Sequence, residues 1–232
     1  MDRIELPAPT PQLTTKTPEP GLRRLQIYGG ALLAAAGVPF LLAGLLHPHG
    51  TGSSYEEGTA SMLQGGTWSA AHWFGLVAMV LLVWAVWLLV DAGWTRGSAM
   101  AHAGARLTIL AGVFMAVQMA VEVGAGASVA EHAAGRPAPL VDLLEVMQVV
   151  GWPALGGGIA LLSLGAKHAA PRLVAVLAAA GGVAAGLGGV LVMGLHLLPA
   201  APLFAGTNAL VPWIVWAGLR AARGGATAAR PS

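Results

Sequence analysis

Long apolar runs dominate the chain, at about 25–46, 71–90, 107–123, 141–164, 173–198 and 203–219. Each approaches the roughly 20 residues a helix needs to cross a bilayer core, once small residues extend the shorter third and sixth runs. Polar positions gather between the runs instead of alternating with apolar ones inside them. That pattern excludes a transmembrane barrel, whose strands alternate along their whole length. Pro39, Pro153 and Pro212 fall within runs, where a kinked membrane helix tolerates them if neighbours satisfy the freed carbonyls. The pattern predicts an all-α integral membrane protein, a six-transmembrane-helix bundle.

Composition supports this reading. The 232 residues are 56% hydrophobic and 9% charged, against about 25% charged in soluble domains, and the mean hydropathy is +0.71. Residues 1–21 hold Pro7, Pro9, Pro11, Pro18 and Pro20. Proline fixes φ and removes backbone donors, so this stretch is expected to be a disordered cytoplasmic tail. It lacks the apolar core and cleavage pattern of a signal peptide. Residues 22–223 then form the transmembrane domain and 224–232 a second cytoplasmic tail.

Charge placement predicts orientation. Of the 12 Lys and Arg residues, only Arg136 falls on the side opposite the termini. The positive-inside rule therefore predicts cytoplasmic N- and C-termini in a cell membrane, plasma or inner. A net charge of +2 distributed in this way points to membrane topology and not to nucleic acid. The predicted outer face collects Glu56, Glu57, Glu122, Glu131, Asp142 and Glu145. It also receives His47, His49, His72, His132 and His196, five of the 7 histidines.

Residues three and four apart share a helix face. On that basis His196 continues a stripe of Gly182, Gly186, Gly189 and Met193, which includes a GxxxG pair suited to close helix contact. His47 continues Gly30, Leu33, Gly37, Phe40 and Gly44, and His72 leads to Gly75 and Met79. Gln118 and Glu122 share a stripe with Thr108, Ala111 and Met115, while Glu145 joins Gln148 and Trp152. Asn208 sits one turn before Pro212. Intramembrane ionisable groups are functional-site hypotheses by default, because burying them without a partner is costly.

The leading expectation is a metal or haem site at the outer face. His47, His72 and His196 would be the ligands, and Glu122 and Glu145 would be ligands, supporting groups or catalytic bases. Imidazoles with carboxylates suit the divalent metals Zn, Fe or Cu, and a metal-bound water would supply a nucleophile. Haem b between two histidines is the redox variant. Met62, Met115, Met119, Met147 and Met193 project to the same half, where thioethers favour Cu(I). A second class is a proton- or cation-coupled transporter using Glu122 and Glu145. A third is an accessory membrane subunit, with glycine-rich helix faces serving a homo-oligomer or partner subunit. The lipid bilayer is the partner common to all three.

Structural duties compete for the same residues. His47 can cap its helix before Pro48, and His72 lies among the interfacial aromatics Trp68 and Trp73. Ser53 and Ser54 precede Glu56 and Glu57 at capping-box spacing, which predicts a short outer helix through about Gln64. Asp142 suits a helix N-terminus, and Asp91 is placed to pair with Arg96. Glu122 and Glu145 can also act as hydrogen-bonding glue between helices. With no cysteine, thiolate zinc and iron–sulfur sites are excluded. The chain holds no P-loop, HExxH or GxSxG pattern.

Overall fold

The computed structural model describes residues 19–125, 128, 131, 134 and 136–224. The proposed tails lie largely outside that range, as does His132. Six helical segments are long and apolar enough to cross a membrane, and no strand occurs among the described residues. They comprise α1 (Pro20–Leu46), α3 (Trp68–Asp91), α4 (Ala99–Ala125), α5 (Pro139–Gly165), α6 (Arg172–Gly188, continued by a π-helical segment Gly189–Gly194) and a final span. The final span joins a 3-10 segment, Leu198–Ala209, to α7 (Leu210–Ala222). The short α2 (Tyr55–Leu63) lies between the first two spans.

Proline and glycine set the boundaries. Pro20 and Pro139 occupy the first turns of α1 and α5, where the missing N–H has no helical partner to lose. Pro48 disfavours helical backbone at the residue before it. His47 is accordingly extended (φ −63°, ψ 121°) and ends α1. The turn from α3 to α4 is bracketed by Gly93 and Gly97, both at positive φ. Ser54 caps α2 by accepting a 3.2 Å hydrogen bond from the Glu57 N–H. The Glu57 carboxylate reaches back to the Ser53 N–H at 2.8 Å and its hydroxyl at 3.0 Å. The expected short helix and its capping are thus present.

The spans close into a ring in chain order: α1 on α3, α3 on α4, α4 on α5, α5 on α6, then α6 on the last span and α7 back on α1. Lipid supplies no hydrophobic force between helices, so close contact through small residues does much of this work. A Cβ at Gly156 would collide with the Gly182 carbonyl, and one at Gly218 with the Ala34 backbone. These glycine faces are used inside the bundle. Leu33, Leu82, Met115, Ile159 and Trp213 fill its centre, while Leu45, Trp84, Leu110, Leu173 and Trp216 face outward. An apolar exterior over such spans fits contact with a lipid bilayer.

Two ends follow from this topology. One gathers Arg23, Arg24, Arg96, Lys167, Arg172, Arg220 and Arg223 and is called the basic end. The other receives the C-terminal ends of α1, α4 and α6 and the N-terminal ends of α3 and α5. It carries the candidate site.

Candidate functional site

Trp68 opens α3, and its indole N–H donates to the Glu122 carbonyl at 2.8 Å. That carbonyl is one of the last four of α4, which have no partner within the helix. The contact ties the start of α3 to the end of α4. One turn along α3, His72 faces the Glu122 side chain, with Nε2 3.2 Å from Oε2. Both are nearly inaccessible, His72 at 3% and Glu122 at 1%. The other carboxyl oxygen, Oε1, accepts amide hydrogen bonds from Gln118 at 3.0 Å and Gln148 at 2.7 Å. Three helices therefore converge on one carboxyl group.

The hydrogen bonds fix where a proton must lie. His72 Nδ1 is 2.7 Å from the Trp68 carbonyl, which only accepts, so Nδ1 carries a hydrogen. In a neutral imidazole, Nε2 is then a bare lone pair pointing at Oε2. Two lone pairs at 3.2 Å repel unless a proton lies between them. The pair thus holds one proton, either as carboxylic acid with imidazole or as carboxylate with imidazolium. Both forms are neutral overall, which suits a setting where an uncompensated charge is expensive.

His47 completes the cluster. Its ring meets His72 edge to face with centroids 5.2 Å apart, and it meets Trp68 at 5.6 Å. Its Nδ1 donates to the Pro48 carbonyl at 3.0 Å. Crowding by surrounding atoms lowers the His47 pKa from 6.5, and neighbouring His72 adds to the shift. Part of this residue remains exposed, so it links the buried pair to the surface. Trp68, its ring tilted at 41° to that of His72 with centroids 3.9 Å apart, is more than the interfacial anchor its sequence suggests. The signal was its i, i+4 spacing to His72.

The other two sequence candidates belong to a neighbouring cluster. His196 is exposed, has a positive φ of 52° and lies beyond the helical segment that ends at Gly194. It does not continue the buried glycine stripe. Its ring stacks on Tyr55 of α2, with centroids 4.0 Å apart and planes at 4°. The Tyr55 hydroxyl lies 3.3 Å from Met193 Sδ. Burial raises its pKa, and the adjacent Glu145 carboxyl reinforces the shift. In the sequence Tyr55 marks only the start of the short capped helix, and no motif points to it.

Among the described residues, no three His, Asp or Glu side chains form a metal-holding group. Asp91 and Arg96 do not pair; among the described residues the ion pairs are His72–Glu122 and an exposed Arg136–Glu131 contact at 3.9 Å. Below Glu122, the buried face of α4 continues through Gln118, Met115 and Ala111 to Thr108. The two polar groups Gln118 and Thr108 are ten positions apart, about 15 Å of helix. No family model, curated protein or solved structure matches the chain.

Proposed function

We propose that this protein is a proton- or cation-coupled membrane transporter whose His72–Glu122 pair is the ion-binding site. The observation that carries this reading is the pair's demand for one positive charge between two facing lone pairs. The proton can leave at little electrostatic cost only if a cation replaces it. His47 is the port through which the exchange occurs. The apolar interval between Gln118 and Thr108 keeps this conformation closed towards the basic end, so transport requires alternating access and not a continuous proton wire. The positive-inside rule would place the basic end in the cytoplasm and the site towards the outside of a cell membrane.

The test is reconstitution into liposomes with a trapped pH dye and imposed gradients of Na⁺, K⁺ or Zn²⁺. Cation-driven proton movement that Glu122→Gln abolishes is the expected result. Failure of every cation to move protons in the unmodified protein would sink the reading.

A second reading, a resident divalent metal, draws on one specific feature. Both His47 and His72 donate Nδ1–H to backbone carbonyls, the arrangement that usually orients metal-ligating histidines through Nε2. Glu122 would supply the carboxylate, but the three side chains form no metal-holding group in this conformation, so they would have to close around the ion. Elemental analysis of protein purified without chelator, with His72→Ala beside it, distinguishes the two. Stoichiometric Zn, Fe or Cu lost in the variant supports a metal centre, and its absence leaves the transporter reading.

A further inference from the structure

The basic end carries a separate feature that the His72–Glu122 site leaves unused. Two adjoining shallow cavities, open to the surface and of about 430 and 310 Å³, share Thr95, Arg96, Gly97 and Ser98. Lys167 and His168 line the second, and no carboxylate lines either. Among the described residues, Arg96, Lys167 and Arg220 have no carboxylate within ion-pair distance. Arg220 lies near enough that its charge contributes, after burial, to lowering the His168 pKa.

The local fold brings these exposed cations to one place. Gly93, at φ 81°, leaves room for the Arg96 side chain, since a Cβ there would press on the guanidinium carbon at 2.8 Å. Trp94 and Thr95 between the two glycines are buried, at 5% and 4% exposure. Trp94 meets His168 edge to face at 5.3 Å, which brings the α5–α6 turn and Lys167 alongside the α3–α4 turn. Thr95 Oγ1 lies 3.2 Å from His102 Nδ1. The result is a solvent-facing basic cradle with unneutralised charge.

We propose that this cradle binds the phosphate headgroup of an anionic phospholipid. Its position favours lipid over free phosphate. Val90, in the last turn of α3, lines the first cavity, and exposed Trp87, Met100, Leu164 and Leu173 flank the same end. A phosphate held by Arg96 and Lys167 leaves its acyl chains free to lie along that apolar surface. Basic pockets between membrane helices are known to hold anionic headgroups.

The experiment uses the full chain, delipidated in neutral detergent, titrated with phosphatidylglycerol, phosphatidylcholine or inorganic phosphate and read by native mass spectrometry and thermal melting. Saturable binding of phosphatidylglycerol, with no matching response to phosphatidylcholine, is expected. Each removed charge should weaken it about fivefold, so the Arg96→Gln/Lys167→Gln double variant loses about 25-fold, while Arg24→Gln is unchanged. Arg96→Lys/Lys167→Arg retains binding and serves as the folded reference if the neutral pair expresses poorly. Equal binding of both lipids, or full retention in the double variant, overturns the proposal. An equal response to inorganic phosphate overturns the lipid assignment.

Discussion

The Tyr55 ring lies flat on the His196 imidazole, with centroids 4.0 Å apart and planes at 4°. This contact fastens the start of α2 to the segment following α6. The end of α2 is fastened separately, through Leu63 packed with Trp68, Ala138, Val141 and Leu144. The short helix is thereby pinned across the end of the bundle that holds the His72–Glu122 pair.

Loss of the ring should loosen α2. A stacked aromatic pair contributes about 1 kcal/mol, so Tyr55→Ala should speed amide exchange over residues 55–63 at least fivefold. Tyr55→Phe keeps the stack and removes only the hydroxyl contacts to Met193, Glu145 and Thr59, so it should exchange nearly as slowly as the parent. Equal exchange in all three would mean that Leu63 alone holds the helix.

The Glu122 carboxyl is replaceable by an amide but not by a hydrocarbon. In Glu122→Gln, the carbonyl oxygen can accept from Gln118 and Gln148 while the NH₂ donates to His72 Nε2. Stability should stay within about 1 kcal/mol of the parent, because every partner remains satisfied. Glu122→Leu strands two amide donors and an imidazole, and should lose about 3 kcal/mol. Denaturant unfolding in detergent measures both.

Acid should weaken the fold through His47. Its folded pKa lies below 6.5, so the unfolded chain binds its proton first as pH falls. The stabilising contribution is whole above 6.5 and declines below it until the folded protein also protonates. Melting temperatures at pH 7.5 and 5.5 should diverge in the parent, and the divergence should shrink in His47→Gln. An identical difference in both would assign the pH dependence to another group.

Closely spaced glycines differ sharply in tolerance. Gly156 faces the Gly182 backbone, whereas nothing lies within 4 Å of a Cβ at Gly157. Gly156→Ala should therefore cost about 1–3 kcal/mol through overpacking. Gly157→Ala should be neutral, or stabilising by a few tenths of a kcal/mol to about 1 kcal/mol through helix propensity. Thermal melts of the two variants give the comparison directly.

The spans were legible because length and apolarity are local properties of a sequence. The pairing of His72 with Glu122 was half legible: each residue fell on a buried stripe, but helix rotation decides which stripes meet. Helical spacing groups Gln148 with Glu145 on α5, yet Gln148 bonds Glu122 across the helix interface, while Glu145 faces Tyr55. His196 was misplaced for a backbone reason. The 3.6-residue period assumed a continuous α-helix, but a π segment at Gly189–Gly194 ends the span and His196 turns to positive φ. The last span likewise begins as a 3-10 segment carrying Pro199 and Pro202. Proline there removes N–H donors that an α-helix would need.

Closure of the ring through α1 and α7 has a consequence for synthesis. Every member of the carboxyl–imidazole network lies between His47 and Gln148, so all of its residues are synthesised before α6 and α7. The seam that seals the bundle, Gly218 against the Ala34 backbone, must wait for a residue far downstream. Until then, the small-residue face of α1 is open to lipid or to whatever insertion machinery attends the nascent chain. The first of these six spans is thus among the last of them to receive its full set of neighbours.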